Sequence, residues 1–266
     1  MRVVLGAVDL RRQSKRKYVQ IWAESLRRFN PSMRIVVFET CSSDEASLAT
    51  ILKPADIETV RLAPRLSPMP IALTRNLSYR DWLRRHLEVT EAICLDMFDV
   101  VCQGDLAGID LSRGMWMTQE NVVVGDCPFN RAWIAHGYGM EWLETLEDTP
   151  VICCGAFGGI RSELMLYLET YAEELAVRQA DDVAGFDQSS LNVWASRDED
   201  ATSLVLPYRN TQCVHMGYAP ASDFSCDAEG IWMEGRTVKP LLLHQWNRTQ
   251  HAPMERYLRE TYPFHG

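Results

Sequence analysis

Ala92-Ile93-Cys94-Leu95-Asp96-Met97-Phe98-Asp99 is the stretch on which the reading of this fold turns. Its first four residues form a short apolar run of the kind found in strands buried on both faces of a parallel sheet. The run passes without a break into two carboxylates. Ligands of open α/β sheets gather beyond the carboxyl ends of the strands, so chemistry is expected just after Leu95. Residues i and i+3 of a regular strand point to opposite faces. Asp96 and Asp99 therefore converge only if the strand ends near Asp96 and the chain turns. A converged pair can hold a hard cation through oxygen, leaving positions for a diphosphate and water. A solvated turn that carries two acids is the plainer alternative.

Upstream, strand and helix patterns alternate. Arg2 to Val8 is a continuous apolar strand, and Tyr18, Trp22, Leu26 and Phe29 recur at helical spacing until Asn30-Pro31 stops the helix. Met33 to Glu39 reads as a strand, Asp44 to Leu52 as a short helix and Ile57 to Leu62 as a third strand. Pro64, Pro68 and Pro70 mark an irregular connection before a helix over Ser78 to Leu87. Such alternation predicts right-handed βαβ units and a mostly parallel sheet.

Downstream, Trp116 to Val124 reads as a strand and Asp126 to Gly139 as a loop. Val151 to Phe157 reads as a strand ending among Gly155, Gly158 and Gly159. An amphipathic helix follows through Leu164, Leu168, Tyr171 and Leu175, then a helix over Asp187 to Ala195. Leu204 to Leu206 and Leu241 to His244 are late strands, and Met254 to Tyr262 is a surface helix. With no repeat or linker, the expectation is one α/β domain over 1–266.

Two further segments can carry chemistry. In Gly185-Phe186-Asp187-Gln188-Ser189-Ser190-Leu191-Asn192, Asp187 fits a helix N-cap. An Asp-Gln pair in a first helical turn also presents a carboxylate and an amide to sugar hydroxyls. In Leu241-Leu242-Leu243-His244-Gln245-Trp246-Asn247-Arg248, an apolar strand delivers a histidine at its end. Imidazole can complete a metal site and the Arg248 guanidinium suits phosphate oxygens, although a lone histidine is commonly a satisfied structural residue.

Taken in order, these segments resemble the GT-A glycosyltransferases, nearest to the retaining glycosyltransferase family 8 group. Cys94-Leu95-Asp96 with Asp99 resembles its acidic strand-end motif, and Ile152 to Gly159 its glycine-bearing strand. Asp187-Gln188 with Leu191-Asn192 matches a D-Q-x-x-L-N helix start, and His244 a late strand-end histidine. The sequence departs from the family in having D-x-x-D for D-x-D, and Cys154 where Asn often precedes the glycine.

The resemblance implies a single GT-A, Rossmann-like domain with helices flanking the sheet. Residues 1–105 would form the nucleotide-sugar-binding half, 106–250 the acceptor and catalytic half, and 251–266 a tail. It implies transfer of a sugar from a nucleotide-diphosphate-sugar donor to a saccharide or lipid-linked acceptor, with retention of configuration. Asp96, Asp99 and His244 would hold Mn²⁺ or Mg²⁺. Asp96, Arg75, Arg80, Gly155 and Arg248 would contact the donor, and Asp187 and Gln188 would sit near the anomeric carbon. A sugar nucleotidyltransferase and a non-catalytic carbohydrate- or protein-binding relative are the rivals. The first would want a glycine-rich basic loop after the first strand, where this chain has Gly6-Ala7-Val8-Asp9 and then Leu10-Arg11-Arg12. Loss of the metal acids would favour the second.

Bulk properties narrow the class. Of 266 residues, 47% are hydrophobic and 24% charged, as in globular domains. A formal charge of −9 and pI near 5.2 speak against nucleic acid as the main partner. The apolar N-terminal run is too short for a signal peptide, and no stretch nears the roughly 20 residues of a membrane span. Eight cysteines show no CxxC or zinc spacing, which fits reduced structural thiols and a cytoplasmic setting. Arg11, Arg12, Lys15, Arg16 and Lys17 read as the solvated face of the first helix. The sharper alternative to that plain reading is a weak dock on anionic lipid at the inner membrane face.

Overall fold

In the computed structural model, residues 1–9, 15–39, 45–62, 69–112, 114–178, 185–197, 203–233, 235 and 237–264 are described. The first half follows the alternation read above: β1 (Arg2–Val8), α1 (Arg16–Phe29), β2 (Arg34–Glu39), α2 (Glu45–Leu52), β3 (Glu58–Arg61), α3 (Ile71–Leu83) and β4 (Glu91–Asp96). Along β1, Val4 and Val8 pack with Val19, Trp22 and Leu26 of α1. Val3 and Leu5 pack on the other face with Tyr79, Trp82 and Leu83 of α3. This alternation places helices on both faces of the sheet and explains the continuous apolar character of the strand.

The rest of the chain supplies β5 (Val100–Cys102), β6 (Met115–Val123), α4 (Pro128–Tyr138), α5 (Met140–Leu146), β7 (Pro150–Ile160), α6 (Arg161–Arg178) and α7 (Phe186–Ser196). It ends with β8 (Leu204–Leu206), β9 (Cys213–His215), β10 (Phe224–Asp227), β11 (Gly230–Met233), β12 (Leu242–His244) and α8 (Ala252–Thr261). The main sheet has the order β3-β2-β1-β4-β7-β6-β8. Only β7 runs against its neighbours β4 and β6; the other adjacent pairs are parallel. A small sheet, β5-β12-β9, branches off beyond the end of β4.

Four local expectations are corrected. The helix expected from Ser78 begins at Ile71, directly after Pro70, whose extended backbone (φ −55°, ψ 140°) delivers the chain into the first turn. It ends at Leu83 and so carries Arg75 as well as Arg80. The loop expected over 126–139 contains α4, with Pro128 in its first turn and a stop at Gly139 (φ 96°). The glycines of β7 do not end it. A Cβ on Gly158 or Gly159 would come within 2.7 Å of a neighbouring backbone carbonyl, so they permit close strand packing inside the sheet. Finally, α8 is not merely a surface helix, because Met254 and Leu258 bury into a cluster with Trp246 and Leu243.

Every described cysteine is free, and all but Cys226 are buried. No helix among the described residues is long and apolar enough to cross a membrane.

Candidate active site

The acids after Leu95 do converge, and the small sheet is the cause. β4 ends at Asp96, Met97 plugs into the core, and the chain turns into β5. β5 pairs antiparallel with β12 so that Val100 stands opposite His244. That register sets Asp99 beside the histidine. Gln245 N–H donates to the Asp99 carbonyl at 2.8 Å and Asn247 Nδ2 donates to the Phe98 carbonyl at 3.1 Å, tying the two segments together. His244 Nε2 lies 3.3 Å from Asp99 Oδ1 and 3.6 Å from Asp96 Oδ2. One ligand atom from each of the three falls within 4.8 Å of the others.

Arg75 reaches the same place from α3. Its guanidinium pairs with Asp96 and, at 2.8 Å, with Asp187 Oδ2, and it donates to the Cys154 carbonyl at 3.0 Å. One buried cation thus joins the acidic strand end to the start of α7. Arg80 is not brought to the cleft. It pairs with Asp81 at 2.8 Å and lies 4.0 Å from Glu169, one and a half turns along α3 from Arg75.

Asp187 is not the N-cap. Gly185 occupies that position in the left-handed region (φ 70°), and a Cβ there would collide with Trp133. Asp187 is buried in the first turn, where its Oδ1 accepts from Gln188 N–H at 2.9 Å. Gln188 donates to Asn130 Oδ1 at 3.1 Å and accepts from Cys154 N–H at 3.4 Å. Asn192 clasps β7, accepting from Ile152 N–H and donating to its carbonyl, both at 2.8 Å. The helix start is therefore docked rigidly on the strand that carries Gly155.

These groups line a cleft of about 410 Å³ together with Gly155, Arg248 and Lys15. A second cavity of about 310 Å³ adjoins it, sharing Trp133, Gln188, Gln245 and Arg248 and adding Phe129, Tyr218 and Glu120. A third, of about 390 Å³ between α1 and Pro54, has Glu24 as its lone carboxylate among the described residues and gathers no ligand cluster.

The electrostatics follow from burial and charge. Burial works to raise the pKa of Asp99, yet His244, Arg248 and Lys15 hold it below the usual carboxylate value. At Glu120 burial outweighs the hydrogen bonds of Cys153 and Gln188 and the charges of His244 and Arg248, and pushes its carboxyl up. Burial, then the neighbouring His244, drives His215 well below the ordinary imidazole value.

Three residues in or behind the cleft are missed or misplaced from sequence alone. Lys15 lies not on a solvated helix face but in the cleft, its Nζ 5.2 Å from the Phe98 ring centroid; Arg11 and Arg12 of the same cluster lie outside the described residues. Glu120 is buried on β6, on the inward side with Trp116 and Thr118. A carboxylate at an inward position of a strand was the available signal. His215 stands in the apolar run Cys213 to Met216, a comparable signal.

Gly155 lies under the His244 ring. A Cβ there would fall within 2.8 Å of Cε1, Nε2 and Nδ1 together. Gly155→Ala must therefore push aside a ring hemmed in by buried neighbours, which costs about 1–3 kcal/mol as overpacking. The expected result is a lower melting temperature together with a weakened divalent-ion affinity, read by calorimetry and Mn²⁺ titration. Wild-type values for both would show that the ring is free to move.

No protein-family model and no curated protein matches the sequence. Among solved structures, the chain is similar to an active-site mutant of LgtC in which a glutamine is replaced by glutamate. The TM-score is 0.62 at 16% identity, over 100% of this chain and 98% of the other. It is also similar to the galactosyltransferase LgtC in complex with donor and acceptor sugar analogues. There the TM-score is 0.59 at 15% identity, with the same coverage. The likeness runs the length of both chains and shows the architecture: this chain has the GT-A fold.

Proposed function

We propose that this protein is a metal-dependent glycosyltransferase that moves a sugar from a nucleotide-diphosphate-sugar to a saccharide acceptor with retention of configuration. The observation that carries the reading is the joining, through Arg75, of an Asp96/Asp99/His244 cluster to an Asp187/Gln188 pair in one cleft. Two carboxylates and an imidazole, with no thiolate among them, are a donor set suited to Mn²⁺ or Mg²⁺. A divalent ion held there would supply charge neutralisation to a departing nucleoside diphosphate.

The chain's own groups would do the rest. Arg248 and Lys15 bring positive charge to the phosphate end of the cleft. Asp187 and Gln188, held by Arg75 and Asn130, would position the sugar whose anomeric carbon gains oxocarbenium character. The adjoining cavity, walled by Phe129, Trp133 and Tyr218, offers aromatic faces and the polar ends of Glu120 and Gln188 to an acceptor sugar. The LgtC complex holds donor and acceptor sugar analogues, which supports reading a sugar donor and a sugar acceptor as the partners here. Residues 1–105 would form the nucleotide-sugar-binding half and 106–250 the acceptor and catalytic half of one domain, in a cytoplasmic protein. A lipid-linked acceptor and weak docking at the membrane face rest on the N-terminal basic cluster alone, of which Arg16 and Lys17 lie on α1.

A panel of nucleotide-sugars, with and without Mn²⁺, tests the reading. A true donor at 100 times its dissociation constant stabilises the fold by about 2.7 kcal/mol, and turnover releases a nucleoside diphosphate. Release of pyrophosphate instead would make the protein a nucleotidyltransferase. A flat thermal-shift profile across the panel, with no nucleotide released, would remove the transferase reading.

A further inference from the structure

β9 and β12 run parallel with His215 in register with His244. Both rings are buried, at 0% and 3% exposure. They meet edge to face, centroids 5.1 Å apart and planes at 88°, with the two Nδ1 atoms 2.9 Å apart. Their far nitrogens point in opposite directions. His244 Nε2 faces Asp99 and Asp96 at 3.3 and 3.6 Å, and His215 Nε2 lies 2.5 Å from Thr118 Oγ1. An imidazole–imidazole–hydroxyl chain therefore runs from the acidic cluster into the core.

Counting hydrogens along the chain leaves two arrangements. At the Nδ1–Nδ1 contact one nitrogen carries the hydrogen and the other offers a lone pair. Were the hydrogen on His215, neutral His244 would carry its own on Nε2, facing the carboxylates, with no lone pair for a cation. With the hydrogen on His244 Nδ1, its Nε2 is bare and can ligate. His215 then carries its hydrogen on Nε2 and donates it to the Thr118 hydroxyl.

We propose that His215 is a positioning residue for the cation site. It accepts the Nδ1 hydrogen of His244 and so holds that ring in the tautomer and orientation whose Nε2 lone pair faces Asp96 and Asp99. The inference rests on the divalent-cation reading given above. The other neighbour of His244 Nδ1 is Cys153 Sγ at 3.3 Å, a weak acceptor that cannot replace an imidazole nitrogen. Cys153, His215 and His244 also form a donor trio, but not a second metal centre. Two nitrogens on one tetrahedral zinc at about 2.0–2.1 Å stand about 3.3 Å apart, whereas these stand at hydrogen-bond distance, 2.9 Å.

Mn²⁺ titration followed by electron paramagnetic resonance, on the full chain, tests the proposal. His215→Phe should remain folded by circular dichroism and raise the Mn²⁺ dissociation constant 10- to 100-fold, as losses of outer-shell partners do. His215→Asn, whose amide oxygen can accept in place of Nδ1, should keep the affinity within about threefold of wild type. In ¹⁵N spectra of the Mg²⁺-loaded wild type, His244 should be protonated at Nδ1 and bare at Nε2. Wild-type affinity in a folded His215→Phe, or a hydrogen on His244 Nε2 with Mg²⁺ bound, overturns the proposal and leaves the metal reading standing. If His215→Phe does not fold, the wild-type spectrum decides alone. A wild-type chain that binds no divalent ion overturns both.

Discussion

Asp99→Ala is expected to abolish sugar transfer while leaving the melting temperature of the metal-free protein nearly unchanged. The carboxylate is half-buried at a turn, and its segment is fixed by other means. The Asp99 carbonyl accepts from Gln245 N–H, Phe98 is tied to Asn247, and Met97 is anchored in the core. None of those contacts uses the Asp99 side chain. What the substitution removes is one anionic ligand of three, and the one aligned with His244 at 3.3 Å. Losing an outer-shell partner alone costs 10–100-fold in affinity or activity, so loss of a ligand should exceed about 100-fold in both. Asp96→Ala should cost less at the metal, because Asp96 is also committed to Arg75. The measurements are Mn²⁺ titration, nucleoside-diphosphate binding with and without Mn²⁺, and turnover. Full turnover of Asp99→Ala in excess chelator would remove the metal from the mechanism.

Much of this site was legible from local pattern. The strand that runs into Asp96 and the strand that ends at His244 could be found because buried parallel strands are short, apolar and abruptly terminated. The requirement that the chain turn after Asp96 came from strand geometry alone. What could not be read was register. Nothing local says that Val100 pairs with His244, or that His215 lies in register with it. Those pairings join segments more than a hundred and about thirty residues apart, and only the small sheet brings them together.

Helix starts were the weaker half of the reading. Asp187 looked like an N-cap because Asp is a favoured cap, but Gly185 in the left-handed region took the position and sent the carboxylate inward. The same limit applied to α4, whose glycine- and asparagine-containing sequence resembled a loop. Its first turn is set by Pro128, and Asn130 and Ile134 bury against neighbours no local pattern discloses. Arg75 and Arg80 were equal candidates in sequence. The rotation of α3 separates them, turning Arg75 to the sheet end and Arg80 to Asp81.

Arg75→Met should be the most destabilising single change in the cleft. Arg75 is 7% exposed, and its two carboxylate partners differ in exposure. The Asp96 side chain is 32% exposed and can turn to water, but that of Asp187 is 5% exposed and cannot. Methionine fills much of the stem volume, so the principal loss is the charge, which leaves Asp187 buried and unpaired. Breaking a buried pair by removing one partner costs about 3–5 kcal/mol, a fall in melting temperature on the order of 10 °C at this chain length. Removing the second charge should reverse part of the loss. Asp187→Asn in the Arg75→Met background is expected to be more stable than Arg75→Met alone, since no uncompensated carboxylate then remains. Activity should not follow stability back, because the double variant lacks both the buried cation and the carboxylate that faces the cleft beside Gln188. Calorimetry and turnover on the two single variants and the double variant read the two effects separately. If Arg75→Met melts with the wild type, the Arg75–Asp187 pair is not holding α7 against the sheet. If the double variant regains turnover along with stability, Asp187 is part of the scaffold and the reacting end of the cleft lies elsewhere.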